Sequence, residues 1–357
     1  SRQPVFLQRF KIPQMSLIHS LISKSLGLSL KSVENTVKLL EGGATIPFIS
    51  RYRKEATGGL DEVQVGDIKT QHEQYCELEK RKEFILKTIS EQEKLTPELA
   101  EKINSCWDST ELEDIYLPFK PKRQTRAEIA RKNGLEPLAN WLMAQHHEPV
   151  ESKATQFLNE QVADVEAALK GARDIIAEWV NEDANARQLI RNIFSHDAII
   201  TSKVVKGKEQ EGEKYADYFD FSTPLSRCPS HRILAIRRGE SEGFLRVAIS
   251  PDDEKCLDRL VPRYAKRDVP AADQVEEAVT DAYKRLLKPS IETKFANLSK
   301  EKADAAAIAV FADNLRQLLL SPPLGQQRIL AIDPGFRTGC KLVCLNEQGD
   351  LLHNETI

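Results

Sequence analysis

The sequence predicts a mainly α protein, a series of helices with a few short strands, followed by the first strands of a second, incomplete domain. Three observations carry this reading. From about Ser16 to Pro322 apolar residues recur three and four positions apart. Residues that start and stop helices punctuate the same stretch. After Pro322-Pro323-Leu324-Gly325 the pattern changes to short apolar runs separated by turn residues.

Val33, Val37 and Leu40 mark an early amphipathic helix. Ile68, Tyr75, Leu78, Ile85 and Ile89 keep close to a 3.5-residue spacing across the charge-rich stretch from Asp61 to Lys94. That spacing predicts one long helix whose narrow apolar seam packs on a partner helix. Thr96-Pro97-Glu98 starts the next helix: Thr caps, Pro takes the first helical position, and Glu opposes the helix dipole. Gly134 is placed to stop a helix begun near Thr125. Further helices are expected over 164–181, 185–197, 230–238, 271–287 and 299–320. Thr201–Val205 and Gly243–Ser250 alternate enough to be two short strands, a candidate pair.

Toward the C-terminus, Arg328–Asp333 reads as an apolar strand ending in an acid. The turn Pro334–Gly339 follows, then a strand over Lys341–Leu345, a turn at Asn346–Asp350 and a strand over Leu351–Ile357. Three strands without a covering helix are marginal alone and leave edges unpaired. The expected division is therefore 1–15 as irregular, upstream or vector-derived sequence, 16–324 as the helical region, and 325–357 as the start of a truncated domain.

At 357 residues and 40.3 kDa, with about 150 residues per domain, two or three domains are expected. Hydrophobic residues at 41% and charged residues at 29% exclude wholesale disorder. Lys and Arg total 51 against 54 Asp and Glu, which excludes a uniformly basic coat but leaves room for local patches. The longest apolar run, Ala305–Ala312, falls far short of the ~20 residues of a membrane span. No secretory signal opens the sequence, so a cytoplasmic protein without a membrane partner is expected. Six cysteines lie at 76, 106, 228, 256, 340 and 344, with no C-x-x-C pair and no histidine at zinc-ligand spacing. On a strand Cys340 and Cys344 would stand about 13 Å apart, too far to chelate one ion. Reduced structural cysteines, no metal and no cofactor are expected.

Three basic clusters are candidates for nucleic-acid contact. The first is Arg51, Arg53 and Lys54 with Tyr52 interleaved, suited to phosphate contact and base stacking. It also reads as a structural elbow in which arginine pairs with Glu55, Asp61 or Glu62. The second runs from Tyr116 to Lys132, where six basic residues meet one acid, Glu128. Prolines hold its first part extended, so that Lys120, Lys122 and Arg123, followed by Arg126 at a helix start, could track a phosphate backbone. A solvated loop packed on neighbouring helices is the alternative. The third is Ser226–Gly239, with His231, Arg232, Arg237 and Arg238 on a helix begun by Pro229 and Ser230. Ser230 beside His231 resembles a hydrolase pair, but adjacent helical side chains diverge. Ser230 as an N-cap and His231 as a structural hydrogen-bonder are the better assignments.

Asp333, at the end of an apolar strand and before Pro-Gly, could hold a divalent metal or a metal-bound phosphate. Two-metal phosphoryl chemistry needs several convergent carboxylates. The residues that follow offer only Glu347, Asp350 and Glu355, so no catalytic residue is assigned and the chain is not expected to be an enzyme.

Six strings then accumulate: Thr45–Glu55, Thr57–Glu62, Leu112–Arg123, Gly134–Ala139, Ser230–Gly239 and Ile329–Lys341. Together they resemble the bacterial Tex family of nucleic-acid-binding transcription accessory proteins, over roughly 16–357. The resemblance implies an elongated helical N-terminal region with a helix-turn-helix-like part, then an RNase H-like (YqgF-type) domain, helix-hairpin-helix modules and a C-terminal S1 domain. The incomplete C-terminal strands would then begin the RNase H-like α/β domain. The S1 domain, to which the family's RNA binding is chiefly attributed, would lie outside the chain. Asp333 matches the first-strand acid of RNase H-like folds, a residual acid in a family not established as a nuclease. A eukaryotic elongation factor with histone-chaperone activity is similar in architecture. The implied partners are RNA or DNA, bound without sequence preference, and proteins of the transcription machinery. A protein-interaction scaffold is the alternative function, and a metal-dependent nuclease or phosphohydrolase centred on Asp333 the less favoured third.

Overall fold

A computed structural model describes residues 14–120, 125–266, 269–335 and 339–357. The expectation for residues 1–13 lies outside the described residues. The chain is mainly α, with two three-stranded antiparallel sheets among the described residues. It divides into two units, Ser1–Phe194 with Asp252–Ile291, and Ser195–Pro251 with Glu292–Ile357.

The first unit opens with α1 (Gln14–Leu26), α2 (Leu30–Glu41), α3 (Ile46–Tyr52), α4 (Lys54–Thr57) and the thirty-residue α5 (Glu62–Glu91). Asp61 starts α5 with a reciprocal cap: its carboxylate accepts from Gln64 N, and the Gln64 side chain accepts from Asp61 N. The predicted seam of α5 is real, but no single partner helix covers it. Its N-terminal half joins Ile18, Ile22, Val33, Val37 and Ile49 of α1–α3 in one core. Its C-terminal half packs Leu78, Ile85 and Ile89 on α6 (Pro97–Ser105) and α7 (Ser109–Tyr116). Lys82 falls in the same seam and is 1% exposed. Thr96 caps α6 through Leu99 N, with Pro97 at the first position.

After α7 the chain makes a 3-10 turn over Leu117–Phe119 and enters α8 (Arg126–Lys132), which ends before Gly134 at φ +80°. α9 (Glu136–Ala144), α10 (Val150–Ala154), α11 (Val165–Glu182) and α12 (Ala184–Asp197) follow. α11 is the centre of this part: it buries Ala168, Leu169, Ala172, Ile175 and Ile176, and it packs on α8, α9 and the helix over Ala272–Asp281. Gly171 lets α11 approach closely, since a Cβ there would clash with the Leu135 side chain. Gln145, in the left-handed region at φ 53°, clamps a distant segment with its buried amide. It donates to the Tyr264 carbonyl at 2.6 Å and accepts from Lys266 N at 2.7 Å.

In the second unit, β1 (Ile199–Val204) pairs with both β2 (Asp220–Pro224) and β3 (Leu245–Ser250). The β1–β3 pair matches the two strands expected from sequence, whereas β2 has no counterpart there. Its residues Asp220-Phe221-Ser222-Thr223-Pro224 alternate too weakly, and end in a residue that favours strand edges. α13 (Ser230–Ser241) lies between β2 and β3 in sequence. Pro229 holds its N-cap position and Ser230 is already helical, with no side-chain cap, which corrects the expected capping role of Ser230.

α14 (Asp253–Leu260) and α15 (Ala272–Asp281) return the chain to the first unit, and a π-helical turn, Ala282–Leu287, leads into α16 (Lys288–Leu319). The Lys288 N–H bonds the Tyr283 carbonyl, five residues back. In an α-helix residues five apart diverge by about 140°. The π turn instead stacks them, and both reach Asp253: Tyr283 Oη donates at 2.8 Å, and Lys288 Nζ at 2.8 and 2.9 Å to the two oxygens. Burial works to raise the Asp253 pKa, but the Lys288 and Tyr283 hydrogen bonds override it and hold the carboxyl below its ordinary range. Because the folded value is the lower one, this stabilisation is present above the ordinary aspartate range and is lost as pH falls through the depressed value. We expect Asp253→Asn to flatten the acid limb of a stability–pH profile followed by circular dichroism. An unchanged limb would disprove it.

The last segment is a sheet of order β4-β5-β6: β4 (Ile329–Asp333), β5 (Lys341–Leu345) and β6 (Leu351–Thr356). The apolar sequence of β4 predicts a buried strand ending in Asp333. Four of the five β4 residues, Asp333 among them, are instead exposed, and Asp333 stands opposite Lys341 in the register.

Candidate nucleic-acid interface

The first cluster sits on α3 and its junction with α4. Arg51, Tyr52, Arg53 and Lys54 are all exposed, Tyr52 at 67%. Arg51 is tied to Glu62 at 3.2 Å, as the elbow alternative requires at that residue. Arg53 lies 5.5 Å from the Phe48 ring centroid, and the Phe48 and Tyr52 rings are 5.6 Å apart. Phe48, spaced one helical turn before Tyr52, is an exposed aromatic absent from the sequence-derived cluster. Its signal was the i, i+4 spacing on a short helix.

The second cluster is thinned by its surroundings. Arg131 is bound by Glu178 at 3.0 Å, and Lys132 by Glu128 at 3.2 Å. Pro118 lies inside the 3-10 turn, so it bends this segment where an extended strip was expected; Lys120 itself is extended, at φ −63° and ψ 127°. Lys120 and Arg126 are exposed and make no ion pair among the described residues. Lys122 and Arg123 lie outside the described residues. At the start of α8 the Thr125 hydroxyl accepts from Glu128 N. Burial raises the Asp174 carboxyl above its ordinary pKa, opposed by Arg285 and then Arg126.

Beside this cluster, Arg81 stands 5.1 and 5.3 Å from the Phe84 and Tyr116 ring centroids. Glu113 grips it in a bidentate pair at 2.6 and 3.1 Å. Its pKa is raised chiefly by that hydrogen bond. No sequence signal linked these residues, since Arg81 and Glu113 are 32 positions apart.

In the third cluster, His231, Arg232 and Arg238 are exposed, whereas Arg237 is half-buried and bound to Glu240 one turn along α13. Arg232 lies 5.9 Å from the Phe221 ring centroid on β2. His231 makes no hydrogen bond among the described residues, so the expected structural role for it is not supported by a partner. The first two clusters belong to the first unit and the third to the second.

Among the described residues no three His, Cys, Asp or Glu side chains are arranged to hold a metal ion. No described helix is long and apolar enough to cross a membrane.

Three family models match: Tex-like protein N-terminal domain over 16–90, Tex central region-like over 145–311, and Tex protein YqgF-like domain over 327–357. The chain is 41% identical over 343 residues to the Transcriptional accessory protein Tex of Neisseria gonorrhoeae, covering 94% of this chain and 45% of that protein. It is 40% identical over 352 residues to Protein tex of Bordetella pertussis, covering 94% and 44%. It is 28% identical over 345 residues to the human S1 RNA-binding domain-containing protein 1, covering 90% and 34%. The chain thus spans a little under half the length of its bacterial relatives. With three Tex models in order along it and relatives at about 40% identity, the chain belongs to the Tex family.

Proposed function

We propose that this chain is the helical scaffold portion of a nucleic-acid-binding transcription accessory factor, acting in the cytoplasm and contacting RNA or DNA without sequence preference. In this reading 16–324 is the helical region and 325–357 opens the YqgF-like domain. One observation carries it: from Ser226 to Gly239 the sequence holds four arginines and no acid, and on α13 Arg232 and Arg238 stay exposed without an ion pair among the described residues. Two relatives, from N. gonorrhoeae and humans, are named for transcription accessory function and an S1 RNA-binding domain, which supports the same class of partner. Catalysis is not part of the proposal; the N. gonorrhoeae relative is named a transcriptional accessory protein.

Phosphate contacts make affinity fall linearly with salt on logarithmic axes. Anisotropy titrations of labelled RNA and DNA at several salt concentrations should therefore give a negative slope. Arg232→Ala with Arg238→Ala should reduce its magnitude by about two, one for each phosphate that an arginine no longer neutralises. A slope unchanged in the double variant would remove α13 from the interface.

A second reading has its own observation. Phe48 and Tyr52 of α3 are large exposed aromatic side chains whose rings lie 5.6 Å apart, and aromatic groups of this kind anchor protein interfaces. A protein-interaction scaffold for the transcription machinery would use this α3 surface.

A further inference from the structure

The β2-β1-β3 sheet has one buried face and one open face. Ile200, Ser202, Leu245 and Ile249 are buried, with α13 packed on β3. The two-residue alternation of strands puts Thr201 and Lys203 of β1, Ser222 of β2 and Arg246 of β3 on the opposite side. There Lys203, Ser222 and Arg246 are exposed.

The register sets Lys203 directly opposite Arg246. Like charges so placed destabilise a sheet, where opposite charges would stabilise it. Neither cation has an ion pair among the described residues. Asp220 stands opposite Lys203 in the β1–β2 register, with no ion pair between them among the described residues. At the same end of the sheet, the Lys208 and Lys214 ammonium groups lie 5.6 and 5.8 Å from the Phe244 ring centroid, two residues before Arg246. Lys214 is compensated by Glu242 at 2.6 Å, and Glu209 accepts from the Gly207 N–H at 3.3 Å.

We propose that this open face is a phosphate-contact surface for a nucleic-acid strand, with the Lys203–Arg246 rung at its centre. The proposal rests on the nucleic-acid reading above and adds a surface contained in none of the three sequence clusters. An arginine fork beside a lysine and an exposed hydroxyl suits phosphate oxygens. A protein partner would need an aromatic or aliphatic anchor at the centre of the patch. The rung has none, and the large apolar residue Ile199 stands at the far end of β1.

Arg246→Glu separates function from folding, because it places an acid opposite Lys203. Its melting temperature should equal or exceed that of the parent. Its affinity for uridine and deoxythymidine homopolymers should fall, with a salt slope smaller by about one or more. Lys203→Gln should lower the slope by about one and serves where Arg246→Glu does not fold. Parent-like affinity and slope in both variants would overturn the proposal while leaving the α13 reading standing. Absence of binding by the parent chain would overturn both. Weakened binding of polyglutamate alone, with the homopolymers bound as before, would assign the surface to an acidic protein and also overturn it.

Discussion

Replacing Asp114 with Ala should lower the unfolding free energy by about 3–5 kcal/mol, the range for breaking a buried ion pair from one side. Asp114 is 6% exposed and is shared by two arginines that are nearly as buried. Arg187 Nε meets Oδ1 at 2.9 Å and Arg191 Nη2 meets Oδ2 at 2.5 Å. Each arginine has a neutral second partner: Arg187 donates to Asn181 and Ser290, and Arg191 to Gln188. The single carboxylate therefore compensates two guanidinium charges, and its removal strands both in a region with little access to water. Arg191→Ala should cost less than Asp114→Ala, since Asp114 keeps Arg187. Asp114→Asn should fall between them by keeping an acceptor without the charge. Urea denaturation gives the ordering. A cost below about 1 kcal/mol for Asp114→Ala would mean that water reaches the arginines and that the network is no tie between α7 and α12.

The contrast between what could and could not be read from sequence follows from the range of each interaction. Asp61, Thr96 and Gly134 announce helix ends because their partners lie within three or four residues. The three C-terminal strands were legible for the same reason, from alternation and turn residues close at hand. Asp114 was visible only as one letter of a family string, because its arginines stand 73 and 77 positions away. Basic clusters were likewise easy to find, but their availability was not. Arg51, Arg131 and Arg237 are held by acids, whereas Arg53, Arg126, Arg232 and Arg238 have no ion pair among the described residues. The pairing of Arg131 with Glu178, 47 residues on, is a tertiary fact. The Lys203–Arg246 rung depends on strand register, which neither strand specifies by itself.

Lys82 presents the same difficulty within a single helix and leads to the second large effect. At 1% exposure, it occupies a seam position of α5 between Leu78 and Ile85, where a lysine ordinarily reads as solvent-facing. Its ammonium is 3.4 Å from the Trp107 ring centroid and donates to Glu79 at 2.9 Å and to the Asn104 carbonyl at 3.0 Å. The aliphatic stem meanwhile fills the seam. Lys82→Ala should cost about 3–5 kcal/mol, combining the stranded Glu79 carboxylate, the unpaired Asn104 carbonyl and a cavity. Lys82→Met refills the seam and should cost less, leaving mainly the electrostatic part. If Glu79 is the group left uncompensated, adding Glu79→Gln to Lys82→Met should recover stability, because replacing both members of a buried pair is far cheaper than breaking it. A double-mutant cycle by urea denaturation tests this through the coupling energy. Additive losses would show that Glu79 is fully solvated without Lys82, leaving the Trp107 face and the Asn104 carbonyl as what holds the lysine inside.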